Sequence, residues 1–275
     1  MFRGPISILA GMLLLCAVGC GSDKNGEKSA ESLLSEARGL FDSGKYEPAM
    51  TLLDSIDSAY PRAIKTRTEA KLLRPQVIER LSAKQLSVTD SLLVVNALVG
   101  DSLRRLVRFE KNPVEGYYVA SSSGSVNPRT AAGLYPRLSP DFRFYLICSC
   151  PEKIASEAVA FESEGETVTS AEVAYDGERN DRTSACETIT FTESESEPLL
   201  AFLMRHKSDP VTVRFIGANG KNHAAILSEQ QRDQLLTVYG LATSVRTDKY
   251  LRLEKERLQN RLSLSRQQIA RSVGS

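Results

Sequence analysis

The sequence predicts an α+β chain of several parts, with long helices flanking an inserted β-rich segment. Three observations carry that reading. Apolar residues recur at helical spacing over 30–110 and again over 228–270. Between them, apolar residues instead come in short alternating runs broken by polar, glycine-containing clusters. Ahead of both lies one apolar stretch, 6–18, too short to span a bilayer stably. The expected parts are a leader over 1–19, a tether over 20–29, a helical unit over 30–74, a long helix over 75–111, a sandwich-like β-rich domain over 112–227 and a long helix over 228–275.

The leader opens with Met1-Phe2-Arg3 and closes on Ala17-Val18-Gly19-Cys20. One basic residue, an apolar stretch and small residues before a cut are the layout of a secretory signal. With Cys20 directly after the small residues, the segment resembles a lipobox, the motif of bacterial lipoproteins, although Ala17 stands where Leu is usual. The resemblance implies that the signal is removed, the Cys20 thiol is diacylated and the new amino terminus is acylated. It further implies a cell-envelope protein held to a bacterial membrane by lipid, the outer membrane ahead of the inner. Residues 21–28 are polar and without periodicity, and read as a flexible tether.

From Ala30 a helical face forms from Leu33, Leu34, Ala37, Leu40 and Phe41. The turn Asp42-Ser43-Gly44-Lys45 leads to a second face of Ala49, Leu52, Leu53 and Ile56, which ends at Tyr60-Pro61. This hairpin resembles a tetratricopeptide repeat. Ala37 takes the small position of the first helix, Gly44 and Tyr46 the turn and second entry, Ala49 the tight crossing and Pro61 the stop. Ile56 is larger than the usual Ala, and Leu33 replaces a frequent Trp. One such hairpin cannot bury its own faces, so a short helix before Pro75 is expected to cap it. Pro75 should kink or break the following helix, and Gly100 is a second weak point.

Asn112-Pro113 marks the change to strands, expected near 116–122, 132–138, 142–150, 154–162, 167–175 and 186–192. A short helix over 197–206 follows, then a strand over 211–215, a turn at Gly217-Ala218-Asn219-Gly220 and a return over 224–227. Ser228 and Gln231 form a capping box opening the last helix, with Gly240 as its weak spot. At 1.5 Å per residue, helices of this length suit an antiparallel stalk.

The order of parts resembles a group of uncharacterised Bacteroidota lipoproteins, through Thr89-Asp90-Ser91-Leu92-Leu93, Phe109-Glu110-Lys111-Asn112, Gly116-Tyr117-Tyr118-Val119 and Pro136-Arg137-Leu138 ahead of Phe144-Tyr145-Leu146. That resemblance implies a fold and a compartment and no activity.

The chemistry-bearing residues point away from catalysis. A net charge of +1 gives no bulk attraction for nucleic acid. The two histidines, His206 and His223, lack a close-spaced ligand pair and read as solvent-exposed. No Gly-x-Ser-x-Gly elbow and no phosphate-cradling glycine loop occurs. No catalytic, cofactor-binding or metal residue is therefore assigned. Cys148 and Cys150 sit two apart on one strand face, too far to bridge each other, whereas a bridge from Cys150 to Cys186 is open, as is simple burial of all three. Tyr117, Tyr118, Tyr135 and Tyr145 are candidates to line a ligand surface, half of them being expected in the core by alternation. Two roles follow: a non-enzymatic scaffold that contacts an envelope protein, or a surface protein gripping a glycan or peptide through the β domain.

Overall fold

A computed structural model describes residues 23–111 and 116–273 of the 275. Cys20, the leader, the first residues of the tether and the Asn112-Pro113 turn lie outside the described residues. Among those described, the fold is α+β, with five helices and two antiparallel sheets. Two compact units divide the chain: Met1–Leu86 together with Leu258–Ser275, and Ser87–Arg257.

The first unit is helical. Helices α1 (Asp23–Asp42) and α2 (Tyr46–Ala59) are joined through Gly44, whose φ of +76° is one that glycine adopts without a Cβ penalty. Ala30, Leu34 and Ala37 of α1 meet Ala49, Leu53 and Ile56 of α2. The fully buried alanines let the two backbones approach closely, as their spacing implies. The first turns of helix α3 (Ile64–Arg104) close this core with Ala70, Leu73 and Val77. Arg74 ties α3 to α2 through Asp54 at 2.5 Å and Asp57 at 2.7 Å, and Arg38 ties it to α1 through Glu69 at 2.8 Å.

Two expectations are corrected here. Helix α1 starts at Asp23, inside the expected tether, because Glu27 has a structural task. Its carboxylate accepts bonds from the Thr66 amide at 2.8 Å and the Thr66 hydroxyl at 2.7 Å, capping the first turn of α3. Those bonds hold its pKa below the ordinary carboxylate value. Nor does the chain divide at Pro75. That residue lies within a continuous α3, so the helical unit expected over 30–74 and the helix over 75–111 share one element. From the carboxyl-terminal part of α5 (Glu229–Val273), Arg266 reaches Glu79 at 3.0 Å, and Leu258 and Ser265 are buried in this unit.

The second unit is built on two sheets. The larger has the order β1 (Val107–Glu110), β2 (Tyr117–Ala120), β3 (Gly133–Leu138), β4 (Phe144–Cys150), β8 (Glu187–Thr192), β7 (Asn180–Arg182). The smaller has β10 (Asn222–Ile226), β9 (Thr212–Gly217), β5 (Ser156–Ser163), β6 (Glu166–Thr169). Alternation does what the sequence predicts. In β3, Leu134, Pro136 and Leu138 point into the core while Tyr135 and Arg137 face outward. Phe144, Phe161, Phe191, Leu199 and Phe202 form the centre of one core fed by both sheets and by helix α4 (Glu193–Arg205). Helix α5 covers part of that core with Leu235, Val238, Leu241 and Ala242, and its Tyr239 ring lies edge-on to Phe144 at 5.4 Å.

Strand β1 replaces the expected last turns of the long helix. It is held by main-chain pairing to β2 and by the Arg108 guanidinium, which donates to the carbonyls of Ala120, Ser121 and Ser123. Helix α4 begins at Glu193 rather than 197, because the Glu195 carboxylate accepts from the Thr192 amide and hydroxyl at 2.8 and 2.7 Å. Within this unit α3 and α5 run antiparallel. Asn96 Nδ2 donates to the Ser244 carbonyl at 2.9 Å, and Lys255 reaches Asp90 at 2.8 Å. The glycines expected to be weak points mark the close approach. A Cβ at Gly100 would lie 2.8 Å from Ser244 Oγ, and one at Gly240 3.3 Å from Leu103.

Candidate functional site

The most chemically informative cavity lies in the second unit and encloses about 270 Å³ between β2, β3 and the first turns of α5. Strand alternation places Tyr117 and Arg137 on its wall. Tyr118 pairs with Leu138, so Tyr117 and Arg137 are diagonal neighbours on one face, and the guanidinium carbon sits 4.0 Å from the Tyr117 ring centroid. Burial pushes the Arg137 pKa below the usual arginine value against the pull of Tyr117 and Glu110, and at neutral pH the group stays charged. Its guanidinium makes no hydrogen bond or ion pair among the described residues. Glu110 also lines the cavity but is already paired with Arg108.

Helix α5 contributes amides. Ser228 caps it as expected, accepting from the Gln231 amide nitrogen at 3.2 Å. The Gln231 side chain does not fold back on the cap; it lies in the cavity, where a Cβ on Gly133 would stand 2.5 Å from its Nε2. Gln230 donates to the Ser122 carbonyl at 3.1 Å. Gln234 is 9% exposed, and its carboxamide, like that of Gln231, has no hydrogen-bond partner among the described residues.

The four candidate tyrosines part company. Tyr117 and Tyr135 line the cavity, the Tyr135 hydroxyl donating to the Ala131 carbonyl at 3.0 Å with its pKa raised by burial. Tyr118 is held between Phe109 and Phe142 in an aromatic stack against the core. Tyr145 lies on the outward face of β4, in a separate hollow with Arg143 and Arg246.

His206 is buried rather than exposed. Its ring packs 4.3 Å from Phe202, and its nitrogens face Asp209 at 2.9 Å and Glu166 at 3.4 Å. Glu164, His206 and Asp209 bring ligand-type atoms within 4.8 Å of one another, a grouping that the sequence spacing concealed. His223 is half-buried against Glu152, at 2.8 Å. Cys148, Cys150 and Cys186 are buried free thiols. Burial drives the Cys148 pKa far up and raises that of Cys150 to about 11.

A different feature lies on α3. Val88, Leu92, Val95 and Val99 follow one another at steps of 4, 3 and 4, and with Val94 and Leu98 they are 48% to 65% exposed. By length and composition α3 could cross a membrane. No family model, curated protein or solved structure matches the chain.

Sequence reasoning did not single out Arg137, Gln231 or Gln234 as site residues. Arg137 falls inside the Pro136-Arg137-Leu138 motif, and Gln231 inside the helix cap. Their one visible signal is spacing: an outward strand position beside aromatics, and amides three apart on a helix, which share a face.

Proposed function

We propose that this chain is a lipid-anchored envelope lipoprotein, attached through Cys20, with a non-enzymatic scaffold role. The α3 apolar face carries the reading. A stripe stepping 4-3-4 is the seam geometry of helix-on-helix packing, and it is open to solvent along Val88–Leu92–Val95–Val99. A bilayer-spanning role for α3 is disfavoured by its neighbour. Helix α5 lies alongside through Asn96–Ser244 and Asp90–Lys255, so spanning would draw Arg246, Asp248, Lys249 and Arg252 into hydrocarbon.

The occupant we assign is the same face of a second copy. The seam and its flanking Ser91 and Leu98 carry no charge, so two copies meet without repulsion. The seam side chains with Leu98 offer roughly 450 Å² per copy, hence about 900 Å² for a pair, the size of a weak, transient interface. Lipid anchoring would raise the effective concentration of copies on one membrane. The α1–α2 pair, in this reading, is a repeat-like surface for an envelope partner, and the outer membrane is the proposed site. The test is sedimentation of the full chain in detergent beside Val95→Glu/Val99→Glu, with fractionation of Cys20→Ser. A concentration-dependent dimer lost in the double variant, and release of Cys20→Ser from membranes, are expected. A wild-type monomer, or a membrane-bound Cys20→Ser, would overturn the respective half.

A second reading, binding of a glycan or peptide through the β-rich part, is favoured by the cavity with Tyr117, Tyr135 and Arg137.

A further inference from the structure

We infer that the cavity between β2, β3 and α5 is a carboxylate-binding site, in which Arg137 grips the carboxylate of a small polar ligand and Gln231 and Gln234 bond the groups beside it. The inference rests on the ligand-binding reading and deepens it.

Arg137 sits over the Tyr117 ring, and its guanidinium N–H groups make no hydrogen bond among the described residues, so the fork remains available to a ligand. That fork matches a carboxylate bidentately, a geometry that a lysine cannot reproduce. The nearest acid, Glu110, does not quench it. Arg108 holds Glu110, and the three groups together leave one positive charge at the cavity. Desolvation of Arg137 also strengthens its attraction to an incoming anion, because the screening water is already partly gone.

The glutamines supply an independent observation. Both side-chain amides keep their donors and acceptor uncommitted to other described residues. Gln234, whose side chain makes no hydrogen bond among the described residues, fronts the same space as Gln231. Each can donate and accept, which suits hydroxyl or amide groups adjacent to a carboxylate. Gly133 is part of the arrangement, since any side chain there would displace the Gln231 amide. A volume of about 270 Å³ lies just below the usual range for ligand sites and accommodates a single residue or sugar ring. A peptide's terminal residue and an acidic sugar share this chemistry.

The test is saturation-transfer NMR and calorimetry on the full chain in detergent, with four probes. N-acetyl-alanyl-alanine is compared with its amide, and glucuronate with glucose. Binding of at least one acidic probe, silence of its neutral counterpart, and roughly tenfold weakening in Arg137→Gln are expected. Gln234→Leu, which keeps the Arg137–Tyr117 stack, should weaken the same probe several-fold, and so guards against a folding defect in the first variant. Which acidic probe binds assigns the source. Equal binding of acidic and neutral probes, unchanged in Arg137→Gln, would overturn the carboxylate assignment and leave a ligand site standing. Binding of no probe would overturn the assignment and remove the support for the ligand reading.

Discussion

Glu187 shows how one side chain can organise a sheet edge. Its side chain is fully buried, and its oxygens accept from the Ser156 amide at 2.5 Å and from Arg182 at 2.7 Å, linking β5, β7 and β8. Burial opposes the charge, but these hydrogen bonds outweigh it and hold the pKa below the ordinary glutamate value. A depressed carboxylate stabilises the fold above its unfolded pKa, about 4.3, and that contribution disappears as pH falls through the lower folded value. Glu187→Gln should therefore destabilise the protein at pH 7 by roughly 1–3 kcal/mol, the scale of a disrupted buried partner. Thermal melts of both proteins from pH 7 to pH 2 should show the gap closing below about pH 4. A gap constant with pH would remove the ionic account. The buried cysteines permit a second test at this scale. Residues 148, 150 and 186 should be unreactive to a thiol reagent at pH 8 in the folded chain and all reactive once unfolded. A single reactive thiol among them after unfolding without reductant would indicate a bridge.

Among the elements, α3 is the most instructive. Pro75 lies in its interior, with no amide to donate to the Lys71 carbonyl, and the helix continues past it. An interior proline disfavours a helix by about 3 kcal/mol relative to alanine, so Pro75→Ala should stabilise the first unit by roughly 1–3 kcal/mol. A urea titration showing a lowered midpoint would mean that the ring's own packing outweighs the missing bond.

The strands were the legible elements. β3 alternates cleanly, and β3, β4, β5 and β8 fall within a few residues of their expected bounds, although β4, β5 and β8 carry runs of consecutive buried residues. β1 escaped because Leu103, Leu106 and Val107 continue a helical period, and only pairing with β2 decides otherwise. The three residues of β7 carry no pattern at all. The helical turns after Asp23 were hidden for a different reason. Their polar residues have no periodicity, and the cap at Thr66 lies 39 positions away from Glu27. The candidate site was the least legible part: Arg137 and Gln234 meet only because β3 and α5 border the same cavity.

At the scale of the whole chain, the two units are unequal in sequence. The second is continuous from Ser87 to Arg257, whereas the first is assembled from both ends. A chain stopped after residue 257 would lack Leu258, Ser265 and Arg266, the groups that α5 brings to the first unit. Limited proteolysis of that truncated chain should cut first within α1 and α2, with the β-rich unit as resistant as in the full protein. Equal protection of both units would show that 258–273 adds nothing there.

The discontinuity has a consequence in time. A ribosome releases α1, α2 and the first turns of α3 long before it makes α5, so the partner of Glu79 arrives 187 residues later. Closing so long a loop is entropically unfavourable and slow unless other contacts shorten it beforehand. The antiparallel pairing of α3 with α5 at Asn96 and Ser244 supplies that shortening. The continuous unit should mature first and guide the late strand of helix home, leaving the earliest residues made among the last to be finished.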